Sequence, residues 1–458
     1  MALDHEIMRI FQQLGVADRI APWTAPFGTS AHHGADGRVI RRIDMVPPPY
    51  PLGWIPNLVF SQPPVEAALR EQVASLPTVE IALGSALERL TQHDDRVDLA
   101  VRGDDGAART VTARWVIGCD GASSTVRALT GMALDDLGFD EPWLVVDVLM
   151  NERGLAKLPT VSQQICEPER PCTLVIGPGN HRRWEISLRP GEDPARVVEP
   201  EETWRLLARW ITPEDGALWR QAAYRFHALV ARDWRVGRVL IAGDAAHQQP
   251  PFIGQGMCQG IRDVTNLAWK LDAVLHGRAG PRLLDSYGAE RGAHVRRLTG
   301  RLQEIGAVIC ERDPAAARRR DTALLAEGGG EARTVTRQEI VPPLECGLLS
   351  ATPGTARGTL FPQPWIAAPG GPVRFDDMVG HGWRLVLDAG LTPPAATDLD
   401  ARVASMDSLR ETEGVLAAWF QRHDCRAALV RPDHYVFGTA MRDDAVPLLI
   451  DEADAMMR

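Results

Sequence analysis

Gly237-Arg-Val-Leu-Ile-Ala-Gly-Asp-Ala-Ala-His247-Gln-Gln-Pro-Pro-Phe-Ile-Gly-Gln-Gly256-Met-Cys-Gln-Gly-Ile-Arg-Asp-Val-Thr-Asn266-Leu-Ala-Trp-Lys270 is the stretch that decides the fold. Val239 to Ala242 is a short apolar run of buried-strand type, stopped by Gly243-Asp244. A Pro/Gly loop follows, and then helical spacing from about Gly256 to Leu275. Strand, loop and helix in that order belong to an α/β protein, which places ligands at the carboxyl ends of its strands. The carboxylate of Asp244 sits there and can accept hydrogen bonds from a diol. The backbone N–H groups of Gly254, Gln255, Gly256 and Met257, at the positive end of the helix, favour negative charge on a bound ring.

The same pattern recurs upstream. Val111 to Ile117 reads as one strand running into Gly118-Cys119-Asp120-Gly121, a tight turn at a strand end. Leu3, Ile7, Ile10, Phe11 and Leu14 stand at helical spacing before Gly15, and Pro63-Pro64 opens a second helix. From Trp143 to Leu188 the alternation is of strand type, with Leu144, Val146 and Val148, and then Trp184, Ile186 and Leu188, on one face. This places an antiparallel sheet between two α/β pieces. Glu311 to Arg337 is charged and Gly-interrupted, and after Val341 the chain changes to Pro-rich turns and short strands. The expected organisation is a discontinuous α/β domain over 1–132 and 232–310, a β-sheet domain over 133–231, a solvated helical linker over 311–340, and a C-terminal domain over 341–458.

Composition narrows the function. The chain has 458 residues, 45% hydrophobic and 24% charged, with a formal net charge of −10, so it offers no long basic face and nucleic acid is a poor partner. Seven cysteines are scattered with no Cys-x-x-Cys pair, and the histidines show no metal spacing, so neither a disulfide framework nor a metal centre is expected. No apolar run reaches the roughly 18 residues of a membrane span, and no export signal opens the sequence, so the expected compartment is the cytoplasm.

The central stretch resembles the Gly-Asp motif and the Pro-Pro-x-x-Gly-Gln-Gly loop of the class A flavoprotein aromatic hydroxylases. Trp115-Val-Ile-Gly-Cys-Asp120-Gly-Ala-Ser-Ser-Thr-Val-Arg127 is similar to that family's Asp-Gly motif. Within the family the likeness is to 3-(3-hydroxyphenyl)propionate hydroxylases. It rests on Ala2-Leu-Asp-His-Glu-Ile-Met-Arg-Ile-Phe11, Phe60-Ser-Gln62-Pro63, Leu284-Asp-Ser-Tyr287 and Leu360-Phe-Pro-Gln-Pro364.

The resemblance implies a Rossmann-like FAD-binding domain, an inserted antiparallel substrate domain and a thioredoxin-like C-terminal domain that is structural, because it lacks a redox Cys-x-x-Cys. It implies FAD and NAD(P)H as cofactors, with Gln62, Asp120, Gly121, Gly243, Asp244, Gly254, Gln255, Gly256 and Met257 at the flavin. It implies a phenolic substrate and O2 as small-molecule partners, and it allows a homodimer. Reduced FAD would form a C4a-hydroperoxide that adds one oxygen ortho or para to a phenolic hydroxyl. The backbone carbonyls of Pro250 and Pro251 would lie near that hydroxyl, and the 133–231 sheet would form the opposite wall. Two alternatives remain open at this point: a hydroxylase of larger polycyclic phenols, and a remnant unable to hold FAD.

The family opens with a strand, a Gly-x-Gly-x-x-Gly loop, a helix and a ribose-binding acid, and none of these precedes Met1. A truncated front end is therefore expected, with a parallel sheet lacking a central strand and exposing apolar edges. Simpler readings stand beside the functional ones. Asp120 can merely close its turn, His247 can be a packed hydrogen-bonding residue rather than a proton relay, Trp269 can be core, and Asp263 can orient the loop.

Overall fold

The computed structural model describes residues 2–394 and 399–458. Ala2–Asp4 is a short strand, antiparallel to Asn57–Phe60. The helix expected from Leu3 begins at His5, because Asp4 is extended and its carboxylate accepts from the Ile7 N–H at 3.2 Å, capping the helix His5–Gln13. Leu3, Ile7, Ile10 and Phe11 then bury against Leu58, Phe60 and Val65.

The segment read as one strand from Val111 to Ile117 is two. Ala108–Ala113 closes a three-stranded antiparallel sheet with Ser85–Gln92 and Val97–Gly103, whereas Val116–Gly118 pairs parallel with Val239–Ile241. Alternation alone does not show where a chain leaves one sheet for another. The parallel pair matters most, because its register sets Gly118 against Ile241 and so brings the turns carrying Asp120 and Asp244 side by side at one end. Among the described residues this sheet has three strands, with Val116–Gly118 outermost and Val116 and Ile117 half-buried. Leu76, Val79, Ile81 and Leu83 are exposed.

The large sheet has nine strands. From the edge strand His247–Gln248 the order runs through Gly216–Ala231, Leu134–Met150, His181–Ser187, Cys172–Ile176 and Ser162–Ile165 to Ser30–His33, Val39–Asp44 and Arg333–Thr336. The sheet therefore recruits strands from outside the 133–231 segment. Likewise 311–340 holds a helix, Pro314–Glu327, and a strand joined parallel to Val39–Asp44. Along His181–Ser187 the side chains alternate faces. Trp184 and Ile186 fill a core with Leu144, Val146 and Leu174, while His181, Arg183 and Glu185 occupy the opposite face.

Beyond residue 341, strands Arg402–Ser405, Arg384–Leu387, Ala427–Val430 and Val436–Ala440 form a mixed sheet in that spatial order, with helices Val415–His423 and Ala445–Met457 against it. A parallel first pair followed by an antiparallel hairpin and a closing helix is the expected thioredoxin-like arrangement. Its core continues into Ala273 and Leu283, and Trp269 packs edge-on against Trp383 at 5.8 Å. Across the same contact Glu290 binds Lys270 at 2.8 Å and Arg431 at 2.7 Å, all fully buried. Among the described residues no helix is long and apolar enough to cross a membrane.

Candidate functional site

Asp120, Gly121, Gly243 and Asp244 come together at the end of the parallel strand pair. After Ile241 the chain turns through Gly243 at φ +61°, a conformation that favours glycine. The Gly243 N–H donates to Asp263 Oδ2 at 2.9 Å. Gly260, on the helix Gly256–Leu275, packs so closely that a Cβ there would lie 3.3 Å from Gly243 Cα. Asp263 is fully buried and also accepts from Arg291 Nε at 2.8 Å, and it lies 2.8 Å from His247 Nε2. Burial opposes its ionisation, but His247 and Arg291 outweigh that and hold its carboxyl below the usual range. His247 is a packed ring stacked on Trp234, and Asp263 holds the loop.

Asp244 differs from Asp263. It is exposed, accepts no hydrogen bond from the described residues, and the surrounding protein raises its carboxyl above the ordinary value. Asp120 is committed locally: it accepts from Ser124 Oγ at 2.5 Å and from the Val126 N–H at 3.0 Å, fixing the start of the helix Thr125–Thr130. Burial works against its charge, and these hydrogen bonds win, so its carboxyl is lowered. Arg127 ties the two turns together by donating to the carbonyls of Ala122 and Ala245, the latter at 2.8 Å.

At the helix entrance the N–H groups divide. That of Gly254 is spent on the Pro251 carbonyl at 2.7 Å, which also engages one of the two proline carbonyls, while among the described residues the Pro250 carbonyl receives no hydrogen bond. Gln255, Gly256 and Met257 keep N–H groups with no acceptor among the described residues, as the first turn of a helix does. The Gln255 side chain is structural: it bonds Asp4 and accepts from Arg262 NH1 at 2.8 Å, within a buried cluster that includes Glu6 and Tyr435. Gln62 is exposed at the start of the helix Gln62–Ala74 and lines a cavity of about 400 Å³ whose other side carries Asp147, His181 and Arg183. Asp147 accepts from Arg183 Nε at 2.7 Å and lies 2.7 Å from His181 Nε2.

A second cavity lies between Pro251–Gly254 and the polar face of the large sheet, where Ser162, Gln164, Thr173 and Glu185 line it. Its loop wall is strained, because Ile253, a β-branched residue, adopts φ +63°. The buried Arg337 guanidinium donates to the Ile253 carbonyl and stacks on Phe27 at 5.2 Å. It forms no ion pair with a described acid, and burial pushes it down to about 10. Neither Arg337 nor Glu185 was singled out from sequence. Arg337 stood in what read as linker and left no signal. Glu185 had one: polar residues at 181, 183 and 185 alternate with the apolar Trp184 and Ile186.

The donor set fits an FAD. An unpartnered carboxylate beside free helix-entrance N–H groups suits a ribityl chain and an anionic ring, and Gly121 and Gly256 present bare faces where a Cβ would meet nothing within 4 Å, leaving room for close approach.

The family described as an FAD binding domain matches residues 1–301, and the HcaD C-terminal domain matches 389–454. The chain is 40% identical to a protein named a probable NADH-specific resorcinol 4-hydroxylase of Rhodococcus jostii, over 97% of this chain and 85% of that one. It is 32% identical to a 3-(3-hydroxy-phenyl)propionate/3-hydroxycinnamic acid hydroxylase of Mycolicibacterium gilvum, over 95% and 81%. The fold superposes on that of the flavin-dependent monooxygenase PieE, solved with FAD and substrate, at a TM-score of 0.82 and 22% identity, covering 100% of this chain and 91% of that one. This chain belongs to the FAD-dependent aromatic hydroxylases, the flavoprotein monooxygenases built on that FAD-binding domain.

Proposed function

We propose that this chain uses FAD, NAD(P)H and O2 to hydroxylate a monocyclic phenol bearing a substituent meta to its hydroxyl, giving a catechol-type product. Resorcinol and 3-(3-hydroxyphenyl)propionate, the compounds in the relatives' names, share that substitution pattern. The observation carrying the reading is the cavity between the Pro251–Gly254 loop and the polar sheet face, which adjoins the helix entrance whose N–H groups are free.

FAD, when bound, takes a hydride from NAD(P)H and activates O2 for transfer to the ring. The chain's own part is placement and exclusion of water. Asp244 accepts hydrogen bonds from the ribityl or ribose hydroxyls, with Gln62, Asp120, Gly121 and Gly243 bordering the groove. The N–H groups of Gln255, Gly256 and Met257 would stabilise negative charge on the ring of a bound flavin. The uncommitted Pro250 carbonyl and the strained loop after it set the ring's distance, and the Thr173 and Gln164 wall closes the other side.

The test is NADH and NADPH oxidation by the purified chain with FAD supplied. Slow oxidation alone, accelerated by resorcinol or by 3-(3-hydroxyphenyl)propionate with a matching hydroxylated product, is the expected result. Stimulation only by polycyclic phenols would replace the substrate class. No stimulation by any phenol would remove the reading.

A further inference from the structure

We infer that Glu185 is the residue that receives the substrate's phenolic hydroxyl and takes its proton as the ring is hydroxylated, an inference that rests on the phenol reading above. Most charged groups near this site have partners. Asp147 is bound to Arg183 and contacts His181, Asp263 is bound to Arg291, and the Arg183 guanidinium next to Glu185 is turned onto Asp147 through both Nε and NH2, at 2.7 and 2.9 Å. Glu185 has no such partner: among the described residues no donor lies within hydrogen-bond distance of its carboxylate. A half-buried carboxylate without a donor is costly unless a ligand completes it.

Its direction is fixed by the sheet. In the strand His181–Ser187, Glu185 pairs across to Val145 on one side and Thr173 on the other, and its side chain shares a face with Arg183, opposite Trp184 and Ile186. That face lines the cavity closed by Pro251 and Ile253. The charged and titratable groups around it are Arg183 on its own strand, Asp147 on the neighbouring strand, His32 across the sheet, Arg337 at the loop and the chain's α-amino group, whose charge, like that of Arg183, favours the ionised carboxylate. Arg183 is neutralised by Asp147, Arg337 is held to the Ile253 carbonyl, and burial keeps His32 uncharged, pushed down to about 3. Glu185 is thus a carboxylate on the sheet wall with no described donor, open to an incoming hydroxyl.

The chemistry balances. The phenol O–H bond breaks, its electron pair stays on oxygen and enriches the ring carbons ortho and para to it, and the proton forms an O–H bond on the Glu185 carboxylate. Burial raises the Glu185 carboxyl, which brings its proton affinity closer to that of a phenolate and makes it the better base. After transfer, the protonated acid donates to the phenolate it has made.

The test compares wild-type protein with Glu185→Gln and Glu185→Asp, FAD supplied, on meta-substituted phenols graded from resorcinol to nitro-substituted phenols that ionise unaided. Removal of a general base costs about 100-fold or more in kcat/KM on resorcinol, and the loss should shrink toward none as the phenol becomes more acidic, with the Glu185→Asp variant retaining part of the activity. Resorcinol binding measured by calorimetry should weaken about ten-fold in Glu185→Gln, as loss of one charge-assisted hydrogen bond requires. An equal loss across the whole series indicates a structural role and overturns the inference, as does full activity of Glu185→Gln on resorcinol. If the wild-type chain turns over no phenol at all, the phenol reading itself fails first, and that outcome is visible without any variant.

Discussion

Replacing Asp263 by Asn should loosen the flavin-side loop more than any change at the cofactor surface. Three groups converge on this carboxylate: the Gly243 N–H at 2.9 Å, His247 Nε2 at 2.8 Å and Arg291 Nε at 2.8 Å, all in a fully buried setting. An amide offers one acceptor oxygen where the carboxylate offers two, and it carries no charge. Arg291 would keep only Gln259 at 2.7 Å and His294 at 2.9 Å, both neutral. Breaking a buried ion pair from one side costs about 3–5 kcal/mol, a large share of the roughly 5–15 kcal/mol that holds a native domain together.

Two measurements read it. The free energy of unfolding should fall by that amount, and the Gly243 amide should lose about 100- to 4,000-fold of its hydrogen-exchange protection, since each 1.4 kcal/mol is tenfold. Acid should erase the difference. The folded Asp263 carboxyl lies below its unfolded value of about 3.9, so its contribution is complete above that pH and disappears as pH falls through the folded value. A variant within about 1 kcal/mol of wild type at pH 7, well below the range expected for a buried pair, would refute the view that Asp263 anchors the loop.

Asp244→Ala should weaken FAD binding by about ten- to a hundred-fold, the worth of charge-assisted hydrogen bonds to a hydroxyl, and a titration showing unchanged affinity would remove Asp244 from the site. Glu290→Gln should destabilise the chain by about 3–5 kcal/mol, because Lys270 and Arg431 lose a shared buried partner, and limited proteolysis should then release the C-terminal domain sooner. The folded Glu290 carboxyl is held at about 2, so this stabilisation is intact above the unfolded value near 4.3 and fades as pH falls toward 2. Gly260→Val should displace the Gly243 turn, since even a Cβ comes within 3.3 Å of it, and both melting temperature and FAD affinity should drop; an unchanged FAD affinity would show that the turn does not shape the cofactor groove.

The flavin side was legible because its signals are local in sequence. A buried strand, a Gly-Asp stop, a Pro/Gly loop and a helix follow one another within Val239–Leu275, and the helix begins and ends where the spacing placed it. The division of labour within that stretch was not legible. Gln255 sits in the loop motif, yet its side chain serves Asp4 and Arg262, more than 200 positions away from the first and about two turns away from the second. The break between Ala113 and Val116 was equally invisible, since one alternating run fed two sheets. Long-range pairing decides such points, and a single sequence carries no record of which strands meet. That is also why Arg337, joined to the cavity through a strand pairing with Val39–Asp44, read as linker.

The substrate side turns on the difference between charges that are paired and charges that are not. Burying an ion pair is tolerable when its geometry is good, and the carboxylates of Asp263, Glu290 and Asp147 each have cationic partners among the described residues. They hold elements in register. Asp244 and Glu185 are carboxylates whose ionised forms are disfavoured by their surroundings and which lack protein donors, and they lie on the two sides of the loop from Gly243 to Gly256: one where the strand ends, the other facing Pro251 and Ile253. On the function proposed above, a ribityl chain would supply hydroxyls to the first and a phenol would supply one to the second, and the loop between them, strained at Ile253, would set the spacing at which the two ligands meet.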